Sequence, residues 1–185
     1  MNAIQVAGAP LIAFGMTEFF LRRGSAAKSF KGTASDRGTT PLIFCCYALV
    51  VGLLFVPNLP GSILPETAAW IGVGVACAGL ALRWWAMLVL GRFYTRTLRT
   101  ATDQGVVARG PYRWIRHPGY LGSLITWVGA AAATRNVVLL ILVSGVLIFA
   151  YARRIAVEEA MLVEALGDSY CNYQQKTWRL LPFLF

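Results

Sequence analysis

The sequence predicts an all-α, polytopic membrane protein, a helix bundle with about five transmembrane helices. Of its 185 residues, 57% are apolar and only 14% are charged, whereas soluble domains carry about 25% charged residues. The apolar residues fall in long runs, of the ~20 residues that a helix needs to cross a bilayer. The 12% aromatic content excludes a disordered chain. Despite the net charge of +9, the lack of polar surface excludes soluble nucleic-acid-binding proteins and soluble Rossmann-type enzymes. We expect one integral membrane domain over residues 1–185.

The apolar runs place five spans along the chain. In chain order, the five predicted spans lie at about Ala3–Leu21, Pro41–Leu59, Glu66–Leu90, Pro118–Thr134 and Asn136–Tyr151. The first ends at the basic pair Arg22-Arg23. The second has Thr40 as a suitable N-cap and Pro41 at the first helical position, where the missing N–H costs nothing. The third follows the turn-forming sequence Asn58-Leu-Pro-Gly61.

The fourth and fifth spans form a helical hairpin, because about one residue separates them. The fifth helix is predicted to continue beyond the membrane, since no helix-breaking residue lies between Tyr151 and Leu166 and Gly167 is a suitable C-cap. A helix from Asn136 to Leu166 would be about 46 Å long at ~1.5 Å per residue, more than the ~30 Å hydrocarbon core.

The distribution of positive charge orients the spans. Basic residues follow the first, third and fifth spans, whereas the segment 57–65 has no Lys or Arg. The turn between the fourth and fifth spans carries only Arg135. The positive-inside rule therefore predicts that the N-terminus lies outside and the C-terminus lies in the cytoplasm.

The first candidate site is the stretch 110–122, which contains the only histidine and starts a helix at Pro118. A helix N-terminus offers free N–H groups and a partial positive charge, so it suits an anion. With His117 as cap, and with Gly119 and Gly122 allowing close approach, a carboxylate could bind there. The alternative is an interfacial anchor, because Arg and aromatic residues at a membrane surface need no ligand.

The second candidate site contains Arg154 and Glu158, which are four residues apart and hence share one helix face. An ordinary surface pair would stabilise the helix by only a few tenths of a kcal/mol. Acidic residues are scarce in this chain, however, and ionisable groups near hydrocarbon usually mark a pathway or a site. Glu18, inside the first span, falls under the same rule, and we expect it to pair with Arg83.

No metal site is predicted. His117 is the only histidine, and Cys45, Cys46, Cys77 and Cys171 have no metal-ligand or C-x-x-C spacing. These cysteines are expected to be buried small apolar residues.

The two candidate sites together carry a family resemblance. The pattern Gly110-Pro-Tyr-x-x-x-Arg-His-Pro-x-Tyr-x-Gly122 precedes a hydrophobic hairpin, and Arg154-x-x-x-Glu-Glu159 and Gly167-x-x-Tyr170-x-x-Tyr173 follow. In this order the motifs resemble the isoprenylcysteine carboxyl methyltransferase family, over about Leu90 to Pro182. Members are membrane enzymes that transfer a methyl group from S-adenosyl-L-methionine to the C-terminal carboxylate of a prenylated cysteine.

The resemblance implies a cytosolic-face cofactor pocket built from the C-terminal half, residues 92–185, with residues 1–91 forming the first three spans. Arg154 would be the catalytic residue that holds the substrate carboxylate. The implied residues of the S-adenosyl-L-methionine site are Gln104, Gly105, Val106, Val107, Tyr112, His117, Pro118, Gly119, Tyr120 and Glu158. A polar residue that the family carries ahead of these would be Arg96, Thr97 or Arg99.

The resemblance also implies a lipophilic, prenylated substrate that enters from the bilayer. The expected partners are this substrate and membrane lipids, and no nucleic acid. Three alternatives stay open. Related enzymes methylate phospholipid amines, although Arg154 favours an anionic acceptor. Membrane sterol reductases share an Arg-His-Pro-x-Tyr pattern but use NADPH, and a non-catalytic membrane module would use these residues only as anchors.

Overall fold

The fold is all-helical in the part of the chain that the computed structural model describes, which is residues 3–20, 38–54, 56, 60–61, 63–91 and 106–181. The helices are α1 (Ala3–Phe20), α2 (Thr39–Leu54), α3 (Glu66–Leu90), α4 (Pro118–Ala133), α5 (Val137–Leu166) and α6 (Asp168–Lys176). A short 3-10 helix, Gly110–Arg113, precedes α4. Isolated bridges, Ile63 with Asn136 and Ile115 with Trp178, are the β-pairing within those ranges. The all-α prediction is therefore confirmed.

The second half of the bundle follows its sequence signals closely. Helices α4 and α5 form the predicted hairpin, and the Asn136 side chain caps α5 by accepting a hydrogen bond from the Leu139 N–H at 2.9 Å. Helix α5 runs on to Leu166, as expected, and ends where Gly167 adopts a φ of 53°. Glycine adopts this left-handed conformation at little cost, which explains why the helix stops there.

Helix α2 differs from its prediction at both ends. It ends at Leu54 instead of about Leu59, which fits the prolines at positions 57 and 60, because a residue before proline disfavours helical geometry. It begins at Thr39, so Thr40 lies in the first turn and is not the N-cap. Helix α6 was not predicted, because it is short and polar.

Two helices, α3 and α5, are long and apolar enough to cross a membrane among the residues described above. The number of five spans stays a prediction, as does the orientation of the termini.

Helices α3 and α4 pack with their backbones almost in contact. At Gly122 of α4, an added Cβ would lie 2.6 Å from the Arg83 nitrogen and 2.7 Å from the Gly79 oxygen. At Gly72 of α3, an added Cβ would lie 2.6 Å from the Gly129 oxygen. These glycines allow a close helix approach that no larger residue permits, as small residues often do between membrane helices. The start of α4 is thereby fixed against α3.

Arg83, on α3, is a buried cation that also holds the start of α4. Its Nη1 donates to the Gly119 oxygen at 3.3 Å and to the Ser123 hydroxyl. Its guanidinium lies 4.7 Å from the centre of the Phe14 ring, on α1, at a distance where a cation–π interaction is favourable. The expected partner, Glu18, has a side chain outside the described residues, so that pairing stays a prediction.

Candidate active site

The candidate site lies where the start of α4 meets the last part of α5. The sequence places an aromatic and basic segment before α4 and acidic residues late in α5, and the antiparallel hairpin brings these together. The start of α2 and the segment after α6 reach the same region. Five parts of the chain thus contribute to one polar cluster at one end of the bundle.

Tyr120 links the two members of the predicted Arg154–Glu158 pair. Its hydroxyl donates to Glu158 Oε2 at 2.8 Å and accepts from Arg154 Nε at 3.2 Å. Arg154 is only 2% exposed, so it is not a member of an ordinary surface pair. The Tyr120 hydroxyl therefore joins a buried guanidinium to a carboxylate.

Arg154 is also held by the start of α2. Its Nη1 donates to Thr39 Oγ1 at 2.8 Å and to Thr40 Oγ1 at 3.0 Å. The hydroxyls contact one edge of the guanidinium plane and Tyr120 contacts another, so the plane is fixed in two directions. These contacts use three of the five N–H donors of the guanidinium.

The neighbouring residue, Glu159, is the centre of a second polar network. Its Oε1 accepts from Arg116 Nε at 2.8 Å and from His117 Nε2 at 3.2 Å. Its Oε2 accepts from Arg179 Nε at 2.9 Å. Glu159 is 5% exposed, and removing its carboxylate would leave the Arg116 side chain, 10% exposed, without a compensating charge, which costs about 3–5 kcal/mol.

The segment after α6 runs beside the segment before α4. The Trp178 N–H donates to the Trp114 oxygen at 2.8 Å, and the Arg116 N–H donates to the Trp178 oxygen at 2.7 Å. The Arg116 side chain donates to the Gln174 oxygen at 2.9 Å and also to the Thr177 backbone oxygen. These bonds hold the Arg-His-Pro motif in place from the C-terminal side.

Tyr173, on α6, holds the 3-10 helix. Its hydroxyl donates to the Tyr112 backbone oxygen at 2.6 Å. Burial raises the pKa of Tyr173 to about 12, while the charge of Arg116 acts in the opposite direction. Tyr173 therefore remains a hydrogen-bond donor at any physiological pH.

His117 occupies the N-cap position of α4, but its side chain does not cap the helix. The ring is instead turned to Glu159 and is 5% exposed. Gly122 faces the α3 backbone, so it does not offer the open approach that we expected for a ligand. At Gly119 an added Cβ would meet only Ala86, at 4.0 Å.

The predicted site residues fall into three groups. Tyr112, His117, Pro118, Gly119, Tyr120, Arg154 and Glu158 belong to the segments that meet at this cluster, and Val106 and Val107 are half-buried residues ahead of the 3-10 helix. Gln104, Gly105, Arg96, Thr97 and Arg99 lie outside the described residues. Within the described ranges, no group of three or more His, Cys, Asp or Glu could hold a metal ion.

Several residues of the cluster were not predicted as site residues. Glu159 adjoins Glu158 and follows the same argument from scarce acids, so its position next to the Arg-His-Pro motif could have been inferred. The sequence does not single out Thr39, Thr40 or Arg179 as site residues, because their contacts to residues 154 and 159 join distant parts of the chain.

Known proteins match the chain in sequence and in fold. The profile of the "Isoprenylcysteine carboxyl methyltransferase (ICMT) family" matches residues 70–164. A "Probable protein-S-isoprenylcysteine O-methyltransferase" of Oryza sativa subsp. indica is 29% identical over 184 residues, 95% of this chain and 94% of the rice protein. The protein-S-isoprenylcysteine O-methyltransferase of Schizosaccharomyces pombe is 31% identical over 140 residues, 75% of this chain and 59% of the yeast protein. The structure of the eukaryotic intramembrane Ras methyltransferase ICMT matches with a TM-score of 0.70 and 23% identity, over 98% of this chain and 68% of that one.

Proposed function

Because the chain belongs to the isoprenylcysteine carboxyl methyltransferase family, we propose that it is a membrane methyltransferase that uses S-adenosyl-L-methionine to methylate the carboxylate of an isoprenylcysteine. Family membership rests on the match over residues 70–164. The rice relative, which aligns with 95% of the chain, is named for the same reaction.

One observation carries the choice of a carboxylate acceptor: the guanidinium of Arg154 is buried and held in a fixed orientation by neutral hydroxyls. A guanidinium forms strong, charge-assisted hydrogen bonds with a carboxylate. It would repel the ammonium form of a phospholipid amine. An anionic acceptor therefore fits this site better than an amine.

The residues of the cluster also fit S-adenosyl-L-methionine. The amino-acid end of this cofactor carries an ammonium and a carboxylate, and its other end is an aromatic base. Glu158, which is half-buried, is a suitable acceptor for the ammonium. The N–H groups of Gly119 and Tyr120, which precede the first intrahelical hydrogen bond of α4, suit the carboxylate. Tyr112 and Tyr120 supply aromatic surface. When bound, the cofactor supplies a methyl group on a sulfonium that is open to displacement.

The protein itself then needs to align the acceptor and exclude water. A carboxylate has a pKa near 4 and is already ionised at neutral pH, so no general base is required. Arg154 orients the carboxylate, and the buried setting removes water from it. The lipid tail enters from the bilayer and the cofactor from the cytoplasmic face, consistent with the predicted N-outside, C-inside orientation. The hydrophobic substrate and membrane lipids are the partners of this arrangement.

A binding titration tests the cofactor class. Purified protein in lipid nanodiscs is titrated with S-adenosyl-L-methionine, with its demethylated product and with NADPH. We expect saturable binding of the first two and none of NADPH. Binding of NADPH alone would identify a reductase, and binding of none of the three would favour a non-catalytic module.

A panel of acceptors tests the substrate class. Transfer of labelled methyl is compared for S-farnesylcysteine, phosphatidylethanolamine and small isoprenoid acids. We expect the prenylated cysteine to be the best acceptor. A preference for phosphatidylethanolamine would contradict the role of Arg154, and a preference for small acids would retain the carboxylate but replace the proposed substrate.

A further inference from the structure

Two adjacent threonines reach the candidate site from outside the segment that matches the family. Thr39 and Thr40 start α2, whereas the match begins at residue 70. We propose that these threonines are positioning residues for the acceptor carboxylate, because their hydroxyls fix the guanidinium of Arg154. The inference rests on the proposed function and assigns to it a part of the chain that no motif indicated.

Both threonines contact the same nitrogen of the Arg154 guanidinium. Both hydroxyl oxygens accept from the same nitrogen, Arg154 Nη1, at 2.8 and 3.0 Å. Thr39 is 4% exposed, although a threonine at the start of a helix more often faces solvent and caps it. Its hydroxyl instead accepts a hydrogen bond from the Arg154 side chain, on α5.

The threonine hydroxyls hold the Arg154 guanidinium without adding a counter-charge of their own. A threonine oxygen accepts a hydrogen bond from the guanidinium but carries no charge, so it does not neutralise Arg154 as an aspartate would. Arginine loses up to ~2 kcal/mol of rotamer entropy when its side chain is fixed. The threonines fix the side chain during folding, so this loss does not fall on substrate binding.

The threonine contacts lie on a different side of Arg154 from the residues proposed for the cofactor. The threonines bind Nη1, on the α2 side, whereas Tyr120 and Glu158 lie on the α4 side of Arg154. Loss of the threonine hydroxyls should therefore weaken the use of the acceptor and leave cofactor binding intact. A residue that merely supports the fold would affect both.

The test uses initial-rate kinetics with S-farnesylcysteine and titration of S-adenosyl-L-methionine on full-length protein. Thr39→Val and Thr40→Val keep the side-chain shape and remove the acceptor oxygen. We expect each to lower kcat/KM for S-farnesylcysteine by about tenfold, the loss of one hydrogen bond to a charged group. Thr39→Ser should recover most of that loss. Thr134→Val, which removes a hydroxyl at the α4–α5 turn, is the matched control and should behave as wild type.

A second pair of variants tests the argument from charge. Thr40→Asp should raise the KM for S-farnesylcysteine well above that of Thr40→Asn, because the new carboxylate competes for the guanidinium. Affinity for S-adenosyl-L-methionine reports in every variant that the protein is folded.

Three results would overturn the inference. Valine variants that are as active as Thr134→Val would show that the hydroxyls do not position Arg154. An equal loss of cofactor affinity would assign the threonines a structural role. If the wild-type protein methylates no carboxylate at all while it binds the cofactor, the proposed function fails and this inference fails with it.

Discussion

Replacing Gly122 by alanine tests whether the close α3–α4 contact positions the candidate active site. The added Cβ would lie 2.6 Å from the Arg83 nitrogen, 2.7 Å from the Gly79 oxygen and 2.9 Å from the Arg83 Cα. All three are backbone atoms, so no side-chain rotation relieves the clash. Restoring ordinary contact at 3.4 Å requires the helices to separate by about 0.8 Å.

Two effects follow from that separation. Overpacking of this kind costs about 1–3 kcal/mol in the free energy of unfolding. Tyr120, two residues before Gly122, shifts with the first turn of α4, and a displacement of about 1 Å near reacting groups can lower the rate by ~10²-fold. Gly74→Ala is the control, because it lies on α3 with nothing within 4 Å of the added Cβ.

The assay combines denaturant unfolding in nanodiscs with the rate of methyl transfer to S-farnesylcysteine. We expect Gly122→Ala to lose both stability and rate, and Gly74→Ala to lose neither. Equal stability and equal rates for the two variants would refute the claim that backbone contact between α3 and α4 fixes the site.

Three further predictions concern the polar cluster. Glu158→Ala should abolish S-adenosyl-L-methionine binding in a titration, whereas Arg154→Ala should retain binding and lose turnover; normal behaviour of both would mean that the site is wrongly assigned. Glu159→Gln should lower the free energy of unfolding by about 3–5 kcal/mol, because it leaves the Arg116 guanidinium, 10% exposed, without its carboxylate, and a denaturant midpoint equal to that of wild type would contradict this. The raised pKa of Tyr173, about 12 against an ordinary value near 10, means that the folded state holds this proton more tightly, so stability should fall as the pH rises from 10 to 12. Tyr173→Phe should lose that part of the fall in a comparison of unfolding curves, and an unchanged pH dependence would count against the burial of the Tyr173 hydroxyl as its cause.

The fold was predictable where local signals and the apolar pattern agreed. Helix α3 has the predicted bounds, from Glu66 to Leu90, because a turn precedes it and a long apolar run fills it. The Asn136 cap and the Gly167 stop were equally readable, since each is a local backbone requirement. The predicted end of α2 was wrong because apolar residues continue past Leu54, whereas the helix ends at that residue.

The sequence singled out several residues of the polar cluster but not the hydrogen bonds that join them. The motif around His117 and the pair Arg154–Glu158 were visible in the sequence as unusual polar groups beside hydrocarbon. The spacing of four suggested a direct contact along the helix, but the Tyr120 hydroxyl from α4 lies between the two side chains. Such links depend on how helices pack, which residue spacing along one helix does not contain.

The proposed reaction transfers a methyl group to a carboxylate. The most direct measurement gives the purified protein S-adenosyl-L-methionine with a labelled methyl group and compares two acceptors, S-farnesylcysteine and the same compound with its carboxylate replaced by an amide. We predict label in an alkali-labile methyl ester with the acid and no transfer to the amide. Equal labelling of both compounds, or label that resists alkali, would contradict the claim.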